Sequence, residues 1–131
     1  MWKKFLLAFI AVYVAYFVLD YILHGLILKG TYQEYKDLWR PDMMSKMWIM
    51  FLTYAVSAFC FVYIYFKLIS PKSTKNAIIY GLIIGIFSGT GMGYGSYCMF
   101  PIPYFLAAAW FWGCIVEMTI IGWILSLIIK E

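Results

Sequence analysis

The sequence predicts an all-α integral membrane four-helix bundle, with both termini cytoplasmic and a short interfacial helix between spans 1 and 2. Three observations predict it. The chain is 66% hydrophobic and 22% aromatic but only 12% charged, whereas a soluble domain is about half apolar and about a quarter charged. The apolar residues gather into separate runs of the ~20 residues that a hydrocarbon crossing needs. The charges concentrate near the ends of those runs and in the polar connections. The expected spans are Phe5–Leu28, Met47–Ile69, Ala77–Phe100 and Phe105–Ile129, in one domain covering residues 1–131.

Span 1 follows Met1-Trp2-Lys3-Lys4, which imitates a secretory signal. Its run of about 23 residues suits a spanning helix better than a signal core of about 7–15, and no A-x-A site follows it, so it is read as an uncleaved first span. It holds Asp20 and His24 one helical turn apart, on a face shared with Tyr13, Tyr16 and Phe17.

The first connection, Lys29 to Lys46, spaces Tyr32, Tyr35, Leu38 and Trp39 along one helical face. That pattern predicts a short helix in the interface with its aromatics at headgroup depth. Trp39-Arg40-Pro41-Asp42 then breaks the helix before span 2. Trp39 is read there as an interface anchor, and Arg40 and Asp42 as a solvated ion pair or a gate. The second connection, Ser70 to Asn76, is polar and turn-like.

Span 3 carries Gly81, Gly85, Gly89 and Gly93 at every fourth position, with Gly91 and Gly95 added. Such a smooth face lets membrane helices pack closely. The stretch from Ser88 to Tyr97 also has poor helix propensity. A locally broken backbone there is the alternative, tolerated at membrane depth only where it is buried in protein or lines a cavity. Pro101-Ile102-Pro103 cannot continue a helix, so spans 3 and 4 form an antiparallel hairpin. Span 4 is uncharged from Ala107 to Ile129 except at Glu117.

Positive charge sets the orientation. Lys3, Lys4, Lys67, Lys72, Lys75 and Lys130 fall on the side of the termini. Lys29, Lys36, Arg40 and Lys46 fall on the other, offset by Glu34, Asp37 and Asp42. The bias places both termini in the cytoplasm. The helical rise then puts Asp20 about 10–12 Å and Glu117 about 16–18 Å below the outer ends of their spans. The two carboxyls are near enough in depth to meet.

Ionisable groups inside a membrane are expensive and rarely lack a partner or a water-filled cavity. Asp20, His24 and Glu117, with Tyr16, Ser88, Thr90 and Tyr97, are therefore the candidate ligand or ion pocket. A shared proton or a bridging cation would lower the cost of burying two carboxyls. The bland alternatives are a local Asp20–His24 pair that pins span 1 to a neighbour, and a neutral Glu117 hydrogen-bonded to another span. Met43, Met44, Met47, Met92 and Met99 with Cys98 raise a soft-metal reading, but no M-x-x-M or C-x-x-C array supports it. One histidine per chain cannot supply bis-histidine haem ligation, which leaves a haem shared across a dimer or completed by methionine. The Asp20, His24 and Glu117 trio is also read as able to hold a harder cation. Cys60, Cys98 and Cys114 are expected as buried free thiols.

The net charge of +4 sits near span ends, which argues for anionic lipid contact and against nucleic acid. No nucleophile–base arrangement, phosphate loop or H-E-x-x-H motif stands out, so an enzyme is the less favoured class. The run Asp20-x3-His24-Gly25, then Leu28, Tyr32, Trp39-Arg40-Pro41, Gly81-x3-Gly85 and Pro101-Ile102-Pro103 resembles small four-span bacterial membrane proteins of uncharacterised function. The resemblance implies a bacterial cytoplasmic membrane and a four-helix architecture, and no activity. Small multidrug transporters also have four spans and a membrane glutamate, but theirs lies in the first span and Glu117 in the last.

Two functions are thereby expected, with a metal- or haem-binding membrane protein as a third reading. The first is an outward-facing polar intramembrane pocket formed by spans 1, 3 and 4, binding or permeating a small molecule, proton or cation. The second is an accessory subunit whose glycine face and aromatic surface dock another copy of the chain or a larger membrane complex.

Overall fold

Each of the four apolar runs folds as one long helix. The computed structural model describes residues 1–130, and no strand occurs among them. Four helices are long and apolar enough to cross a membrane: α1 (Trp2–Ile27), α3 (Met43–Leu68), α4 (Thr74–Met99) and α5 (Tyr104–Ile128). The short helix α2 (Lys29–Glu34) lies between the first two. Helix is the form that apolar runs of this length take, because hydrocarbon offers nothing to an unpaired backbone N–H or C=O. This is the architecture of a multi-pass membrane helix bundle.

Local chemistry sets the ends. The Ser73 side chain accepts from the backbone N–H of Asn76 at 3.1 Å and caps α4. Pro103 stands in extended geometry immediately before α5, and Ile102 between the two prolines is buried. The corner therefore reverses the chain tightly.

The hairpin of α4 and α5 is closed by backbone meeting backbone. An added Cβ at Gly85 would stand 2.7 Å from the Ile115 Cα, and at Gly89 2.8 Å from the Phe111 carbonyl oxygen. At Gly93 it would stand 2.5 Å from the Ala107 carbonyl oxygen, and at Gly81 it would collide with the Met118 carbonyl. Gly122 of α5 reciprocates against Ala77. Each step of four residues up α4 matches about four down α5. The glycine face is thus spent inside the molecule, where it allows close van der Waals packing without a hydrophobic driving force.

At the end bearing the termini, all four spans share one core. It takes Phe5, Ala8 and Val12 from α1, Phe61 and Tyr65 from α3, Tyr80 from α4 and Leu125 from α5. Tyr80 donates to the Phe61 carbonyl at 2.8 Å and stacks on the Phe61 ring at 4.5 Å. A second, smaller cluster joins Leu28, Ile102, Leu106 and Ala107 at the proline end.

Tyr32 and Trp39 of the first connection pack onto this second cluster. Their polar tips explain the inward turn, because each finds a partner there. The Trp39 Nε1 donates to the Tyr32 carbonyl at 3.2 Å.

Two spans are locally rewound near the proline end. Residues Tyr21–Ile27 of α1 and Thr90–Gly95 of α4 form π-helical turns. The Leu28 N–H reaching the Leu23 carbonyl at 2.9 Å shows the longer hydrogen-bond step. The glycine-rich half of α4 is therefore not broken. It stays hydrogen-bonded but wider, a distortion that recurs beside functional sites.

Candidate functional site

The π turn of α1 begins immediately after Asp20 and contains His24. Across the bundle, Ser88 lies just before the π turn of α4 and Met92 lies within it. These residues face Trp110, Cys114, Glu117 and Met118 of α5 around a cavity of about 150 Å³, whose α1 wall also holds Tyr16 and Leu23. Spans 1, 3 and 4 thus bring Asp20, His24, Glu117, Tyr16 and Ser88 together. Thr90 and Tyr97, expected in the same pocket, do not line it. The Thr90 hydroxyl bonds back to the Ile86 carbonyl at 2.7 Å, and Tyr97 packs edge-on against Tyr104 at 5.8 Å.

Glu117 is only 8% exposed, and its Oε1 is a buried side-chain oxygen with no hydrogen-bond partner among the described residues. Asp20 lines the same cavity, and its carboxyl interacts electrostatically with Glu117 and with Tyr54. Two carboxyls offer each other only acceptors, so such an approach needs a proton or a cation between them.

The other polar groups of the cavity are engaged. Tyr16 donates to the Met118 sulfur at 2.9 Å and stacks on Tyr54 at 6.2 Å. Ser88 donates to the Ile84 carbonyl at 2.7 Å. The Trp110 Nε1 donates to the Tyr32 hydroxyl at 2.7 Å, and that hydroxyl also meets the His24 Nδ1. An indole N–H can only donate, which leaves the Tyr32 proton for Nδ1 of a neutral imidazole. His24 then carries its own proton on Nε2, which stands 4.0 Å from Asp20. Burial pushes the Tyr32 hydroxyl up to about 12, so it remains a donor at neutral pH.

Gly113 and Cys114 precede Glu117 on its own face. A Cβ at Gly113 would meet the Leu23 side chain at 2.5 Å, so α1 itself fills that space. Cys114 lines the cavity. Cys60 and Cys98 are exposed rather than buried, and all three thiols are free. Arg40 and Asp42 form an exposed ion pair at 2.9 Å, outside the cavity lining.

The carboxyl pair was legible as charge in an apolar run. Trp110 and Cys114 follow from it by helical spacing, since they lie seven and three residues before Glu117 on the same face, whereas Met118 does not. Tyr32 and Tyr54 carry no such signal, because only the tertiary fold brings a connection and span 2 to this place. Among the described residues, no group of three or more His, Cys, Asp or Glu side chains is placed to hold a metal ion.

Comparison with protein-family models, with curated proteins and with solved structures finds no match to this chain.

Proposed function

We propose that this is a multi-pass protein of the bacterial cytoplasmic membrane, with both termini cytoplasmic, that binds or permeates a proton or a small cation at the Asp20–Glu117 pair. The observation that carries the reading is the buried Glu117 oxygen without a partner, opposite a second carboxyl. Leaving a buried acceptor unsatisfied costs about 1–3 kcal/mol, and more when it is charged. Two adjacent carboxylates cannot both stay ionised in a low-dielectric site without a counter-ion. The occupied states of lowest energy are a shared proton and a bridging cation. Each of them is a bound ligand.

One feature supports access. On the α1 side, His24 and Tyr32 continue the polar path from Asp20 toward the proline end. That end is outward in the orientation proposed from the lysine distribution.

Flux into proteoliposomes, read with a pH-sensitive dye and with cation tracers, tests the proposal. Wild-type protein is expected to carry a flux that Glu117→Gln and Asp20→Asn lower by about tenfold or more, as expected when one charged hydrogen bond is removed. Wild-type flux in both variants would remove the pair from any such role. A silent protein that copurifies with a stoichiometric membrane partner would favour the accessory-subunit reading instead.

A further inference from the structure

We infer that the ligand of this site is a small organic cation bearing N–H donors, a short-chain primary ammonium or a guanidinium, in preference to a bare metal ion. The inference rests on the cation reading above and names its ligand class.

The first argument is a count of donors and acceptors around the cavity. The Tyr16, Ser88 and Trp110 donors are spent on Met118, Ile84 and Tyr32. His24 uses Nδ1 on Tyr32 and turns Nε2 toward Asp20. The unsatisfied buried group is an acceptor, Glu117 Oε1. The hydroxyl and indole donors are engaged, the His24 Nε2–H points at Asp20 without closing to hydrogen-bond distance, and the buried oxygen without a partner is a carboxyl, so the cavity favours a ligand that brings both donors and positive charge. An ammonium brings three N–H groups and a guanidinium a planar fork of them.

The second argument concerns the walls. A hard metal ion takes six or more oxygen ligands, supplied by carboxylates, carbonyls and water. Here two carboxyls share the space with Tyr16, Leu23, Trp110 and Met118. No third acidic, thiol or imidazole group closes to metal-binding distance among the described residues. Apolar and aromatic walls instead suit the methylene skirt of an organic cation, and ring faces attract its charge. The volume of about 150 Å³ limits the skirt to a few carbons, because pockets for drug-sized ligands run to about 300–1,000 Å³.

Isothermal titration calorimetry of the protein in lipid nanodiscs decides the class. The probes are the chlorides of propylammonium, guanidinium, tetramethylammonium, sodium, potassium and magnesium. Propylammonium and guanidinium are expected to bind at one site per chain. Tetramethylammonium has the charge and similar bulk without any N–H, and is expected to bind about tenfold more weakly or not at all. Glu117→Gln is expected to weaken propylammonium by about tenfold. The comparison among probes uses wild-type protein alone, so it stands even where that variant fails to fold. Equal binding of tetramethylammonium and propylammonium, or binding of the metal ions alone, would overturn the ligand class while leaving a cation site in place. If no probe binds, the ligand class is overturned. The cation reading falls with it only when the proteoliposome flux is also insensitive to Asp20→Asn and Glu117→Gln.

Discussion

At the scale of single residues, the most consequential contact after Glu117 is the Tyr32 hydroxyl, which receives the Trp110 N–H and meets the His24 ring. Tyr32→Phe keeps the ring but strands an indole N–H that the cluster partly buries. The expected cost is about 1–3 kcal/mol, read by denaturation in detergent. Trp110→Phe in the same background should recover part of that loss, because it deletes the stranded donor. The Tyr32 hydroxyl rises from 10.0 to about 12 through burial. Its contribution is therefore complete below pH 10 and is lost as pH climbs through the folded value. The stability gap between wild type and Tyr32→Phe should stay flat from about pH 6 to 9 and shrink only above that window. No residue pattern announced this role. Tyr32 reads equally well as an interface aromatic, and only the fold of the connection over α5 turns its hydroxyl inward.

At the scale of elements, the glycines of α4 divide by what stands behind them. Gly85 has the Ile115 backbone at 2.7 Å from any added methyl, whereas Gly91 has nothing within 4 Å. Gly85→Ala is expected to cost about 1–3 kcal/mol by forcing α4 and α5 apart. Gly91→Ala, in the same helix, should be neutral or slightly stabilising through better helix propensity. Equal effects of the two in an unfolding titration would contradict the packing described. The periodic face was plain in the sequence because four-residue spacing is a property of any helix. Which helix it met was not, since the same face serves a neighbour within the chain or in another copy. The π turns were less legible still. Poor propensity marked the stretch from Ser88 to Tyr97 as weak, but a widened turn and a broken one draw on the same residues. Tyr21–Ile27 gave no composition signal.

At the scale of the whole molecule, the four spans were legible because length and hydropathy alone define them, and their observed bounds lie within a few residues of the predicted runs. Orientation rests on a lysine bias that no packing contact encodes. It is open to a direct check. In a chain whose native cysteines are replaced by alanine, Asp42→Cys should react with a membrane-impermeant maleimide added to intact spheroplasts. Ser70→Cys should react only after lysis. The reverse pattern would invert the proposed topology and turn the cavity's polar path toward the cytoplasm. The spans are also joined by two different kinds of seam. The α4–α5 seam is backbone on backbone, with no room for even one added methyl at Gly81, Gly85, Gly89 or Gly93. The α1–α5 seam is made of side chains, with Leu23 filling the notch at Gly113 and the carboxyl pair beside it. Side chains can change rotamer more readily than packed backbones can part, so rearrangement is expected at the α1–α5 seam before the α4–α5 seam. Asp20 and Glu117 stand on opposite sides of that softer seam, so any sliding of α1 against α5 would alter the spacing of the two carboxyls directly.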